Sequence, residues 1–215
     1  MKKYFKEIPK GAPVVQPAIV EPPLASEVRD VVYDRIQLPA VVVAYRMPAN
    51  GTPDFYAVDL LNRLLSNGNS SRLNKALKDE QQKAVYTGAF SLPFEDPGLA
   101  IMFSIANMGV DITALENAMD AEVNKIRTQG VPAADLEKLK AQLETEAIAD
   151  KGRMAGIASN LATAYMLLGN TELVNTELDR YLAVTSEDLK RAANTYFTPQ
   201  GRVVLHYLPL SQKKP

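Results

Sequence analysis

The sequence has 215 residues, which suits one domain with a core of ordinary size, and its 24 basic and 25 acidic residues give a net charge of −1. This balance argues against binding to nucleic acid or to an anionic membrane surface. The absence of cysteine excludes disulfides, thiolate zinc sites and cysteine nucleophiles. No apolar run reaches the ~20 residues of a membrane span. If the protein is bacterial and exported to the periplasm or cell envelope, its signal lies outside this chain, because residues 1–10 contain no apolar core.

The start of the chain contains five prolines, at positions 9, 13, 17, 22 and 23. Proline fixes φ and removes a backbone donor, so residues 1–26 are predicted to form an extended connector. Residues 27–215 contain no composition shift typical of a linker. We therefore expect them to form a single domain.

Two segments rich in β-branched residues, 28–33 and Ala40–Met47, are predicted strands. The consecutive residues Val41, Val42 and Val43 favour a strand buried on both faces. From Asp54, placed in the capping position, the apolar residues follow a helical period as far as Gly68.

The segment 66–90 is where we expect a helix to end, a second helix to begin and a strand to follow. Gly68 suits the left-handed residue after a helix. The side chains of Asn69, Ser70 and Ser71 are expected to cap the next helix. The strand Ala84–Leu92 then pairs antiparallel with a strand at 99–107, because a proline- and glycine-containing turn joins them.

The second half is predicted to be mostly helical. Helices are expected at 111–128, from Pro132 to the glycines at 152 and 156, and at 157–168, 173–182 and Ser186–Tyr196, with a final strand at 203–208. The helix at 157–168 is almost fully apolar and is therefore expected deep in the core. The element order predicts an α+β fold, with a mostly antiparallel sheet and helices packed on one face.

The residues themselves indicate no catalytic site. His206 is the only histidine, whereas a zinc site without cysteine would usually need at least two, so a structural role is favoured. Acids at 137, 144, 146 and 150 alternate with lysines at helical spacing, which is typical of a solvated face. The loop 67–72 could seat an anion before a helix, but a plain αα-corner explains its cap residues better.

Several segments resemble, in the right order, the second domain of one half of the pitrilysin/insulinase-type zinc metallopeptidases, the family with the inverted HxxEH motif. They are residues 4–11 (YFKEIPKG), 39–45 (PAVVVAY), 54–61 (DFYAVDLL), 67–73 (NGNSSRL), 183–189 (AVTSEDL) and 202–209 (RVVLHYLP). The resemblance implies the LuxS/processing-peptidase-like metallohydrolase fold, shared with mitochondrial processing peptidase.

The same resemblance implies that this chain holds no cofactor, because it contains no HxxEH motif. Zinc and the general base would belong to an upstream zinc-binding domain, and a homologous second half would complete a chamber around a peptide substrate. No catalytic residue is therefore expected in this chain.

In family members whose second half contacts substrate, an arginine and a tyrosine seven residues apart follow the SSRL corner. Here these positions fall on Lys78 and Val85, with Tyr86 one residue further. Lysine lacks the planar donor fork of arginine, and Tyr86 lies on the other strand face unless the register shifts. The resemblance implies Lys78, Tyr86 and Arg72 as substrate-binding candidates.

Two functions remain open from the sequence. The chain is either a chamber-forming domain of a zinc endopeptidase or an inactive scaffold or partner subunit of the same fold. The replacement of the arginine and tyrosine by Lys78 and Val85 favours the second slightly.

Overall fold

A computed structural model describes residues 4, 6–9, 11–12 and 22–213. The predicted connector at 1–26 lies largely outside the described residues. Its described end, residues 22–26, is exposed and forms neither helix nor strand. The Pro22 carbonyl accepts a hydrogen bond from Arg46 Nη1 at 2.9 Å, which fixes this end against the sheet.

Among the described residues, five strands form one sheet in the spatial order β1-β5-β2-β4-β3. They are β1 (Val28–Asp34), β2 (Ala40–Met47), β3 (Ala84–Leu92), β4 (Gly98–Ala106) and β5 (Arg202–Pro209). β1 pairs parallel with β5, and the other three pairs are antiparallel. The predicted antiparallel pairing of β3 with β4 is confirmed.

Six α-helices accompany the sheet in the described part of the chain. They are α1 (Pro53–Ser66), α2 (Ile112–Gln129), α3 (Ala133–Lys151), α4 (Met154–Leu168), α5 (Glu177–Leu182) and α6 (Ser186–Tyr196). A π-helix, Asn74–Glu80, precedes β3, and 3₁₀ turns occupy Thr171–Asn175, Pro199–Gly201 and Leu210–Gln212. The predicted helix at 173–182 is thus a 3₁₀ turn followed by the short α5.

The core lies between one face of the sheet and α1, α2 and α6. On β2, Val41 and Val43 are fully buried against these helices, whereas Val42 is half-buried on the opposite face. The expectation that this strand is buried on both faces is therefore wrong, since the helices that the structure describes pack on only one face. The α+β class with helices on one face is confirmed.

The helix α4 contradicts its predicted position. Ala164 is its only buried residue, and α4 contributes nothing to the contiguous core cluster. Met154 and Tyr165 are largely exposed. Its apolar composition predicts burial within this domain, but α3 and the turn Thr171–Asn175 cover only its inner side. Among the helices that the structure describes, none combines the length and the apolar composition that a membrane span requires.

Candidate functional site

The corner after α1 turns at Gly68, whose φ of +79° is the left-handed conformation expected for it. The Ser71 N–H donates to the Gly68 carbonyl at 3.1 Å and closes the turn. The helical turns begin at Arg72, so Ser71 occupies the capping position, but the predicted side-chain caps are wrong, because no side-chain cap of the backbone is formed there. Ser71 Oγ instead accepts from Asn74 Nδ2 at 2.9 Å.

The same corner is bound to the start of α3. Arg72 Nη2 lies 3.1 Å from Asp135 Oδ2, and Lys138 Nζ donates to Ser70 Oγ at 2.5 Å. The cavity between them is only about 50 Å³. Because Asp135 already neutralises the charge of Arg72 there, the geometry supports an αα-corner rather than an anion-binding site.

Lys78 lies on the π-helix directly before β3 and is exposed. The adjacent Leu77 is fully buried and anchors the segment. Hydrogen bonds from Gln81 N to the Ala76 carbonyl (3.1 Å) and from Lys83 N to the Leu77 carbonyl (2.8 Å) close its end. Lys78 therefore projects from a fixed backbone beside the first residues of β3.

A β-bulge lies at the beginning of β3. Ala84 pairs with Ala106, but Tyr86 pairs with Ile105, so Val85 is an extra residue. From the sequence, the strand face on which Tyr86 lies depends on whether the register of β3 shifts in this way. The bulge places Tyr86, 55% exposed, on the sheet face without helices.

On that open face the Tyr86 ring lies 5.6 Å from the Phe103 ring, between centroids. The Phe90 ring lies edge-on to the Phe103 ring, with the two ring centroids 6.2 Å apart. Gly88 makes room for this arrangement, because a Cβ there would come within 2.7 Å of Phe103 Cε1. Leu99, half exposed, extends the apolar surface along β4.

The open sheet face, as we call it, comprises the outward residues of β3, β4, β2 and β5. They are Tyr86, Phe90, Leu92, Leu99, Ile101, Phe103, Ile105, Val42, Ala44, Val203, Leu205 and Tyr207. β3 is also an edge strand. The three substrate-binding candidates are thus not gathered in one place, because Arg72 is bound to α3 whereas Tyr86 lies on the open sheet face.

A buried ionic cluster joins α2 to β1 and β5, and it was missed by the sequence analysis. Glu116, 3% exposed, accepts hydrogen bonds from Arg29 on both carboxylate oxygens. Arg202 Nη2 lies 3.4 Å and His206 Nε2 lies 2.7 Å from the same carboxylate. His206 therefore belongs to a structural cluster, as its interpretation from sequence favoured.

Arg202 is the central cation of this cluster. It donates to Glu27 Oε2 and to Asp120 Oδ1, each at 2.5 Å. Although burial opposes its charge, hydrogen bonds to Asp120 and Tyr45 hold the pKa of Arg202 above its ordinary value. The partners lie far apart in sequence, so periodicity alone could not have paired them.

The sequence suggested that Asp54 caps α1, but this prediction is wrong, because Thr52 occupies the N-cap position. Instead its carboxylate accepts from Arg191 Nη2 and from the Tyr196 hydroxyl, both at 2.7 Å, and ties α1 to α6. The hydrogen bond from Arg191 lowers the pKa of Asp54, partly against desolvation. Burial, aided by the hydrogen bond to Asp54, raises the pKa of Tyr196 to about 12.

Metal-binding groups are not found in the described residues: no three His, Cys, Asp or Glu side chains are placed to share an ion. Across the whole sequence, one histidine cannot supply the two of an HxxEH motif. The acids and bases described above are satisfied by one another. In the described part of the chain, the candidate site therefore consists of an open sheet face and an edge strand.

Comparison with known proteins gives a consistent result. The zinc protease PqqE of Helicobacter pylori is 27% identical over 164 residues, which are 76% of this chain and 37% of that protein. A solved protease from Helicobacter pylori superposes with a TM-score of 0.89 at 23% identity, over 97% of this chain and 51% of that chain. This chain therefore spans about half of that structure and less of the curated relative.

A shorter solved structure is the inactive peptidase domain of a candidate zinc protease from Bordetella parapertussis. It superposes with a TM-score of 0.74 at 25% identity, over 86% of this chain and 96% of that chain. The family model described as "Peptidase M16 inactive domain" matches residues 1–143, more than half of the sequence. The chain therefore belongs to the family of inactive M16 peptidase domains.

Proposed function

We propose that this chain is the non-catalytic, chamber-forming domain of a zinc-dependent endopeptidase. Zinc and the general base would come from an HxxEH domain outside this chain, and a homologous second half would close the chamber. When bound there, zinc would activate the attacking water, while a glutamate of that motif accepts its proton. The observation that carries the proposal is the open sheet face bordered by the edge strand β3.

An edge strand offers unpaired N–H and C=O groups to an extended peptide, which adds to the sheet as a further strand. In β3 these groups lie beside exposed aromatic side chains, Tyr86 and Phe90. The backbone would hold the peptide irrespective of its sequence, and the rings would contact its apolar side chains. This arrangement suits a peptidase that binds extended segments.

Lys78 and Tyr86 are proposed to contact the substrate from either side of the bulge. The Lys78 ammonium supplies a charge near the peptide backbone, and the Tyr86 hydroxyl supplies a donor. Arg72, also a substrate-binding candidate, would act here through the corner, since Asp135 engages its guanidinium. Its contribution would be to hold the π-helix that carries Lys78.

An inactive scaffold or partner subunit is the second candidate function. It is favoured by Lys78 and Val85, which occupy positions where the family resemblance leads us to expect arginine and tyrosine. The bulge weakens this argument, because it exposes Tyr86 on the open sheet face.

The longer polypeptide encoded by the same gene distinguishes the two functions. We expect it to carry HxxEH and to cleave a quenched peptide in a chelator-sensitive way. In the same cleavage assay, the variant Tyr86→Phe keeps the aromatic ring and removes the hydroxyl, and so separates the contribution of the two groups. Absence of both the motif and cleavage would leave the scaffold function.

A further inference from the structure

The helix α4 is exposed and carries no charge. Its 15 residues, Met154–Leu168, include no Asp, Glu, Lys, Arg or His. Met154 is 85% exposed, Tyr165 66% and Met166 74%. Solvated helix faces normally carry charged residues, so this composition indicates a face that is covered in the assembled protein.

The exposed apolar residues lie together along the helix. Met154, Leu161 and Tyr165 are spaced seven and four residues apart and share one stripe, with Ile157 and Met166 on its flanks. We call these five residues the α4 ridge. Next to this stripe, the buried Ala164, seven residues after Ile157, and Leu168, which contacts Gly51, hold α4 in place, so that Met154, Tyr165 and Met166 are its most exposed members.

The chemistry of the ridge restricts its partner. An uncharged helix offers no ion pairs to nucleic acid or to a charged protein surface. It also lacks the lysines and arginines by which interfacial helices are attracted to anionic lipids. Uncharged, strongly apolar interfaces are typical of partners that stay together permanently.

A permanent partner is indicated by the lengths of the relatives. This chain covers 51% of the solved Helicobacter pylori protease and 37% of the zinc protease PqqE, so each carries a large further part in the same polypeptide. A domain in the same polypeptide is present at a fixed ratio and at high effective concentration. Such a domain is suited to cover an apolar helix permanently.

We propose that the α4 ridge is the docking surface for the zinc-binding domain of the same polypeptide. This inference rests on the proposed function, which requires that domain. The open sheet face then stays free for the peptide. Interdomain contact through α4 would also explain why a helix with this sequence is not part of the core of its own domain.

Methionine oxidation footprinting tests the ridge directly, because thioether oxidation follows exposure. Met154 and Met166 report on the ridge, and Met108, 86% exposed and distant in the turn before α2, is the internal control. The isolated chain is a fair reference, since the Bordetella parapertussis domain was solved as a chain of which 96% is matched here. We expect Met154 and Met166 to oxidise about tenfold more slowly in the longer polypeptide, with Met108 unchanged.

Paired variants separate docking from folding. Met166→Glu places a charge on the ridge and should restore rapid oxidation of Met154 in the longer polypeptide, whereas Met108→Glu should not. Both positions are exposed, so neither variant should alter the unfolding midpoint of the isolated chain.

The other outcomes overturn the proposal. Equal oxidation in both proteins would place the partner domain elsewhere. Protection of the isolated chain that rises with its concentration would identify a second copy as the occupant, and protection by vesicles of phosphatidylcholine and phosphatidylglycerol would identify a lipid surface. Zinc content and peptide cleavage are read separately. An active zinc protein with an unprotected ridge contradicts only this inference, whereas a zinc-free, inactive protein with a protected ridge contradicts the proposed function.

Discussion

Tyr86 lies against Phe103 on the open sheet face, with the ring centroids 5.6 Å apart and the planes inclined by 31°. The contact exists because the bulge before Tyr86 turns its side chain to this face and because Gly88 leaves space for the Phe103 ring. A one-residue change of register therefore decides whether the domain presents a tyrosine to its surroundings.

Replacing Tyr86 tests its proposed contact with substrate. In the longer polypeptide we expect Tyr86→Ala to lower kcat/KM for a quenched peptide about tenfold, or about 1.4 kcal/mol of transition-state stabilisation. If the hydroxyl contacts the substrate, kcat/KM of Tyr86→Phe should lie between that of Tyr86→Ala and that of the unchanged protein. Phe94→Ala, at a half-exposed residue in the β3–β4 turn, is the control and should have no effect. Equal rates for Tyr86→Ala and the unchanged protein would remove Tyr86 from the site.

Gly88 can be tested in the isolated chain. Gly88→Ala should displace the Phe103 ring and lower the free energy of unfolding by about 1–2 kcal/mol, since a Cβ there overlaps the ring. Gly152→Ala is a matched control, because a Cβ there meets nothing closer than 3.4 Å. Urea unfolding followed by circular dichroism measures both. Equal stability of the two variants would contradict the packing described for Phe103.

Removing Arg202 should strongly destabilise the domain. Arg202→Ala leaves Asp120 without a cation and leaves Glu116 and Glu27 with Arg29 as their remaining shared cation, and loss of one partner from a buried ion pair costs about 3–5 kcal/mol. Lys75→Ala breaks an exposed pair with Glu80 and should cost less than about 0.5 kcal/mol.

Urea unfolding followed by circular dichroism measures both deficits. Equal stability of Arg202→Ala and Lys75→Ala would contradict the ion pairs described around Arg202.

The contact between Asp54 and Tyr196 predicts two limits of the pH–stability profile. The folded-state pKa of Asp54 lies below its unfolded value of about 3.9, so its contribution is present above that pH and is lost as the pH falls through the folded pKa. The pKa of Tyr196 is raised to about 12, so its contribution is complete below about pH 10 and is lost as the pH rises through 12.

Each variant should flatten mainly one limit of the pH–stability profile and the other limit to a smaller extent, because Asp54 and Tyr196 each contribute to the pKa shift of the other. Asp54→Asn should reduce the acid slope of the unfolding free energy, and Tyr196→Phe should reduce the alkaline slope. The alkaline slope should not vanish, because burial also raises the pKa values of Tyr45 and Tyr181. An unchanged profile in both variants would show that the contact does not persist in solution.

Much of the fold could be predicted because short-range patterns determine it. Ala40–Met47 and Ser186–Tyr196 have the predicted bounds, and Thr185 caps the latter in a capping box. Alternation of apolar residues specifies a strand, and cap residues mark where a helix begins. Gly68 likewise adopts the positive φ expected at the end of α1.

The failures arise where the deciding contact is distant or outside the domain. The apolar pattern of α4 shows that the helix needs covering, but not which molecule covers it. The cluster of Glu116 with Arg29 and Arg202 joins residues separated by 87 and 86 positions. No local pattern pairs such residues. The bulge at Val85 shifts the alternation of β3 by one residue, and no turn or cap residue marks its place in the sequence.

The most direct test compares peptide cleavage by the longer polypeptide from the same gene with cleavage by this chain alone, each with and without a zinc chelator. We expect cleavage by the longer polypeptide only, and its loss in chelator, because this chain holds one histidine and no HxxEH motif. Cleavage by the isolated chain, or chelator-resistant cleavage by the longer polypeptide, would contradict a non-catalytic domain serving a zinc peptidase.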